Sequence, residues 1–163
     1  MKKQVIAALL VVCIGTGKLI AQEKDSVTTL PTITVTTATV VNKEVDKAFK
    51  KSFPKATNLK WYDMNKFYLA RFIENDMKHQ TLFTQKGFLK YDISYGFEQH
   101  LPAEIRDRIK GAYEAYRIIH VANVKEAGRN IWVTNLESLN HLVLVRVEED
   151  EMEEVEKYNK SSK

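Results

Sequence analysis

Four histidines, His79, His100, His120 and His141, are the side chains of this 163-residue chain best suited to hold a metal or to move a proton near neutral pH. None pairs with another at i, i+4 along a helix, and no Cys/His cluster surrounds any of them. His79 and His141 each open a strand at matching places in the two halves of the chain, but no carboxylate spacing beside them supplies the remaining ligands of a zinc site. The acidic run over 148–156 lacks the glycine that bends a calcium loop. It reads as a solvated charged face that can also shield a sheet edge. A nucleophilic serine needs a strained Gly-x-Ser-x-Gly turn, and a phosphate cradle needs a glycine-rich loop; the six glycines form neither. No Asp or Glu stands out in an apolar strand interior, where its pKa would rise. The expectation is a chain with no catalytic residues, no metal and no cofactor.

Aromatic and arginine residues at alternate strand positions carry more information. Asn42 is placed to cap a helix over 43–53, with Val45, Ala48, Phe49 and Phe53 along one stripe and Pro54 as its stop. Strands follow over 59–63, 67–73 and 78–84, with 88–94 as an extension, and Asn75-Asp76 supplies a tight hairpin turn. Pro102 suits the first turn of a second helix, whose stripe is Ile105, Ile109, Ala112 and Tyr116. Strands over 118–124, 130–136 and 141–147 come next, and the tail from Glu148 admits a last strand or a helical turn through Met152, Val155 and Tyr158.

The two halves match in register. Val45, Phe49 and Phe53 correspond to Ile105, Ile109 and Tyr113. Tyr68, Ala70 and Phe72 correspond to Trp132, Thr134 and Leu136, and Phe83 corresponds to Val145. These strand residues, with Trp61, are expected to face the helices. Because successive strand side chains point to opposite faces, Tyr62, Phe67, Leu69, Arg71, Leu82, Val133, Leu144 and Arg146 fall on the other face. That face is unusually apolar and locally basic for one bathed in water. Tyr62, Leu69, Arg71, Leu82, Val133 and Arg146 are therefore the expected partner-binding residues, with burial beneath the N-terminal arm or the other half as the competing reading.

Lys2 and Lys3, an apolar run of about ten residues and Ala21 have the layout of a cleavable export signal over 1–21, too short to span a bilayer. Its removal takes away the chain's one cysteine, Cys13, and three lysines, leaving 22 basic against 21 acidic residues. A net charge near +1 withdraws the main support for nucleic-acid binding. A Thr/Val-rich stretch over 22–42 reads as an extended arm or linker, with Pro31 against a central strand.

The motif Phe49-Lys50-Lys51-Ser52-Phe53-Pro54, followed by Trp61, Tyr68-Leu69-Ala70-Arg71-Phe72 and Leu82-Phe83 with Gly87 close behind, resembles the PepSY-like, β-lactamase-inhibitor-like (BLIP-like) proteins. The likeness spans about residues 43–158. The second half departs from it, with Tyr116-Arg117 in place of Tyr-Pro and Glu149-Asp150 in place of the glycine turn. The resemblance implies a periplasmic or secreted protein with no catalytic residues. The fold expected is α+β: two tandem repeats over 43–95 and 96–160, each a helix followed by a three- to four-stranded antiparallel sheet, with the helices on one sheet face. The function expected is an exported binding or inhibitory module with a protein or peptide partner in the cell envelope, no nucleic acid and no transmembrane segment in the mature chain. The alternative is an envelope structural or adhesion component acting by association with itself or with a partner.

Overall fold

The computed structural model describes residues 36–37 and 40–161. The export-signal reading of 1–21, Cys13 and most of the 22–42 arm lie outside those residues.

Helix α1 (Lys43–Ser52) starts where the sequence places it: the Asn42 side-chain oxygen accepts from the Val45 amide at 2.9 Å. Glu44 and Asp46 in the first turn and Lys50 and Lys51 in the last complement its dipole. Four strands follow, β2 (Thr57–Met64), β3 (Phe67–Glu74), β4 (Met77–Thr84) and β5 (Leu89–Gly96). Asn65, Asn75 and Asp76 take positive φ at the first two turns, which suits residues that tolerate the left-handed region. At the third turn Gly87 (φ +79°) passes so close under α1 that an added Cβ would lie 2.8 Å from the Glu44 carbonyl oxygen. Only glycine fits there, and the Asn42 amide ties the same turn to the helix by donating to the Gln85 carbonyl at 2.7 Å. A 3-10 turn (Glu98–His100) leads to α2 (Ala103–Ala112) and then to β6 (Arg117–Glu126), β7 (Arg129–Glu137), β8 (His141–Glu148) and β9 (Glu151–Asn159). From the arm, β1 (Thr36–Thr37) pairs with Asp63 and Tyr62 of β2.

The expected two-repeat architecture is not what forms. Among the described residues the nine strands lie in one antiparallel sheet in chain order, β1 to β9, eight of them long. The join is continuous: β5 and β6 pair over six residues, from Tyr91–Glu126 to Gly96–Val121. Pairing there removes two exposed sheet edges, each a row of unmet backbone donors and acceptors. The described residues form a single, mostly β sheet with two ten-residue helices on it, rather than two helix-plus-sheet units in series. Alternation along each strand reports which way side chains face, but carries no information on which neighbour an outer strand adopts.

Both helices cover the same face. Val45 and Phe49 of α1 pack on Trp61, Ala70, Phe72 and Phe83, an aromatic cluster in which Phe49 meets Trp61 and Phe72 edge-on at 5.3 and 5.0 Å. Ile109 of α2 packs in a mainly aliphatic cluster with Val121, Trp132, Leu136, Val143, Val145 and Val147. The acidic tail becomes edge strand β9, exposed along nearly its whole length; its charges discourage another sheet from adding to that edge.

Candidate functional site

The face turned away from the helices can be read from the strand register. One row of directly opposed residues runs Lys60–Arg71–Gln80–Ile93–Val124–Ile131–Glu148–Glu151 across β2 to β9. A second runs Tyr62–Leu69–Leu82–Tyr91–Glu126–Arg129 across β2 to β7. A third runs Ile73–Lys78–Tyr95–Ala122–Val133–Arg146–Glu153 across β3 to β9. At about 4.8 Å per strand, this is a surface roughly 30 Å wide. Its β2–β4 end is basic, its centre is apolar with two tyrosines, and its β8–β9 end is acidic. Among the described residues no helix packs on it.

At the basic end the Arg71 guanidinium carbon lies over the Tyr62 ring, 5.0 Å from its centre, a cation–π contact. A hollow of about 420 Å3 beside them is lined by Lys60, Lys78 and Gln80 among others. A second hollow of about 360 Å3 is lined by Met64, Phe67, Leu82 and Tyr91. Burial, then the neighbouring Tyr95 and Glu126, push the Tyr91 hydroxyl above its ordinary pKa of 10.0, so it stays a neutral donor throughout the physiological range. At the other end Arg146 is engaged by Glu148, and by Glu153 at 3.2 Å, while Arg129 clamps Glu148 at 2.6 and 2.7 Å.

The six residues singled out from the sequence all lie on this face, in two groups. Tyr62, Leu69 and Leu82 are opposed in one row with Arg71 beside them. Val133 and Arg146 are opposed to each other on β7 and β8, with β5 and β6 between the groups. Leu69, flanked by Tyr62 and Leu82, is only 7% exposed, so it acts as floor rather than as rim. Arg71 is exposed and, among the described residues, has no carboxylate within ion-pair distance. The central residues Ile93, Tyr95, Val124 and Ile131 were not among the six, although alternation from Tyr91 through Tyr95 was a signal for them.

The covered face holds a polar cluster that sequence reasoning missed. Asp92, 5% exposed, accepts from the Thr81 hydroxyl at 2.6 Å and lies 3.0 Å from Nδ1 of His79. The His79 ring stacks on Phe72 at 4.8 Å. Ser94 and Asn123, also buried, continue the polar strip under the gap between the two apolar clusters. On β5 the apolar residues Tyr91, Ile93 and Tyr95 point to the open face, so the polar ones turn inward and the usual phase is inverted. That inversion hid Asp92 as a buried carboxylate. His79 and Thr81 share that carboxylate instead of bonding each other, so no base–nucleophile pair forms. Elsewhere, no three His, Cys, Asp or Glu side chains converge as a metal site among the described residues.

With this geometry in view, the chain can be set beside known proteins. No family model matches the sequence, and no curated protein matches it. Solved structures do. A BLIP-like protein from Bacteroides fragilis superposes with a TM-score of 0.57 at 15% identity, covering 74% of this chain and 87% of its own. A DUF2874 family protein from Bacteroides ovatus gives 0.56 at 17% identity, over 75% and 89%. A protein from Bacteroides eggerthii, provisionally described as periplasmic, gives 0.54 at 16% identity, over 74% and 90%. The chain has the BLIP-like fold. At these identities the likeness concerns the fold alone, and a fold does not specify what its surfaces meet.

Proposed function

We propose that this chain is an exported, non-catalytic module of the PepSY-like/BLIP-like type that binds a protein or peptide partner, as a binder or inhibitor, through the open face of its sheet. The observation that carries the reading is the apolar centre of that face. Ile93, Val124, Ile131 and Val133 are half-exposed beside Tyr91 and Tyr95, with no helix over them among the described residues. A sheet face bathed in water alternates polar outward; a patch of aromatic and aliphatic side chains flanked by charge is the anatomy of an interface. Tyr62, Leu69, Arg71 and Leu82 extend this surface at one end, and Val133 and Arg146 at the other. A periplasmic or secreted location is supported by the export-signal layout of 1–21 and by the structural neighbour provisionally described as periplasmic. Among the described residues no helix is long and apolar enough to cross a membrane.

Capture of a partner from an envelope extract, with the exported chain as bait, tests this. Tyr62→Ala combined with Tyr95→Ala is expected to keep the melting temperature within a few degrees and to lose the captured protein. Undiminished capture by the folded variant would place the interface elsewhere. One observation favours the second reading, a structural or adhesive component that associates with itself: the nine-residue edge strand β9 pairs with β8 on one side and, among the described residues, with no strand on the other. Its acidic side chains weigh against stacking of two such edges, and a monomeric mass at high concentration would exclude it.

A further inference from the structure

The hollow at the basic end carries more than a general interface. We propose that it seats an extended acidic segment of the partner protein, with carboxylates on alternate residues. The inference rests on the protein-binding reading above and names the chemistry of the partner.

Lys60 and Arg71 are directly opposed across β2 and β3, and Lys78 lies diagonally from Arg71 on β4. Like charges placed directly opposite destabilise a sheet, yet among the described residues no carboxylate lines the hollow. The nearest acids along β2 and β3, Asp63 and Glu74, alternate to the helix-covered face. A bound anion relieves this repulsion. The Arg71 guanidinium carbon sits over the Tyr62 ring at 5.0 Å, and a guanidinium packed on an aromatic ring keeps in-plane donors for a two-pronged grip on a carboxylate.

The spacing selects a chain of charges over a single anion. The three basic residues lie on three neighbouring strands, where opposed residues such as Lys60 and Arg71 stand about 5 Å apart at Cβ and diagonal ones such as Arg71 and Lys78 about 7–8 Å. Alternate residues of an extended peptide repeat at about 6.7 Å, close to that diagonal. A lone phosphate would engage one cation or two and leave the rest unmet. Gln80 and Asn58 also line the hollow, and their amides can bond the backbone of such a segment.

The test titrates the exported chain, isotopically labelled for NMR, with the peptides Glu-Thr-Glu-Thr-Glu and Gln-Thr-Gln-Thr-Gln and with inorganic phosphate. The glutamate peptide is expected to move the amide signals of Lys60, Arg71 and Gln80, and to weaken as salt rises. Arg71→Gln with Lys78→Gln, both at exposed positions, is expected to weaken it about tenfold, the loss of one good charged contact or more. Equal binding of the glutamine peptide, unchanged affinity in the double variant, or phosphate binding the same residues as tightly would each overturn the proposal. The two levels separate cleanly. If the double variant still captures the native partner while Tyr62→Ala with Tyr95→Ala does not, the acidic-segment inference falls and the open-face reading stands. If the peptide binds as described but the tyrosine variant captures the partner unimpaired, the apolar centre drops out of the interface and only the basic end of the face is left to bind.

Discussion

The two faces of this sheet are built from the same strands, residue by residue in alternation, and they end up opposite in character. The covered face is buried. It holds an aromatic cluster under α1, an aliphatic cluster under α2 and a hydrogen-bonded polar strip under the gap between them. The open face keeps an apolar centre but spends its charge at the two ends, basic on β2–β4 and acidic on β8–β9. A fold needs only one buried face. The second apolar surface therefore has no structural purpose visible in the sheet itself, and its polarity along the sheet gives a partner both an orientation and a register. Covered-face residues should answer to stability, and open-face residues to binding.

The sharpest break of that contrast is a truncation on the covered side. Phe83 is fully buried, with ring centres of Trp61 and Phe49 at 5.9 and 6.3 Å. Phe83→Ala is expected to cost about 3–5 kcal/mol, read as a fall in the denaturant midpoint at constant slope. Leu69 sharpens the comparison from the other side, because it is buried although it belongs to the open face. Leu69→Ala should cost about 2–5 kcal/mol, whereas Arg71→Ala beside it should stay within about 0.5 kcal/mol. Equal effects of the two would mean that the floor-and-rim description of this face is wrong.

Asp92→Ala comes next. It leaves the Thr81 hydroxyl and His79 without their shared acceptor in a buried strip, for about 1–3 kcal/mol; an unchanged midpoint would show that water replaces the carboxylate. The smallest effect is one of pH on the acidic end. Hydrogen bonds from Lys160 and then Arg117 hold Glu137 below its ordinary 4.5, and those from Arg129 do the same for Glu148, ahead of the attraction of Arg129 and Arg146. Because the folded values lie below the unfolded ones, this stabilisation is fully present above about pH 4.5 and is lost as the pH falls through the lowered folded values. Glu137→Gln with Glu148→Gln should therefore flatten the decline of the melting temperature below pH 4.5 and leave the curve above it parallel to wild type. A decline as steep as wild type would show that these pairs contribute nothing.

Much of the first half was legible because local chemistry decided it. Asn42 and Pro54 bound α1, and Asn65 with Asn75-Asp76 fix the hairpins that oppose Tyr62, Leu69 and Leu82. What could not be read depended on pairings distant from such signals. Nothing in residues 89–96 or 117–126 says that β5 and β6 zip together, which is what turns two imagined units into one sheet. The inward turn of Asp92 follows from the inverted phase of β5, where tyrosines and isoleucine mark the wrong side as core. Val133 and Arg146 were placed on the right face, but the commitment of Arg146 to Glu148 and Glu153 follows from the pairing of β9, whose Met152, Val155 and Tyr158 fit a strand or a helical turn equally well.

The central claim is that the open face meets a protein, and site-specific photocrosslinking tests it most directly. A photoreactive phenylalanine analogue at Tyr95, 42% exposed at the centre of that face, is compared with the same group at Asp107 on α2, exposed on the helix side. Irradiation in the native envelope fraction is predicted to give one discrete covalent adduct from position 95 and none from position 107. An adduct from position 107 alone, or none from 95 in a chain that still captures its partner, would contradict the account.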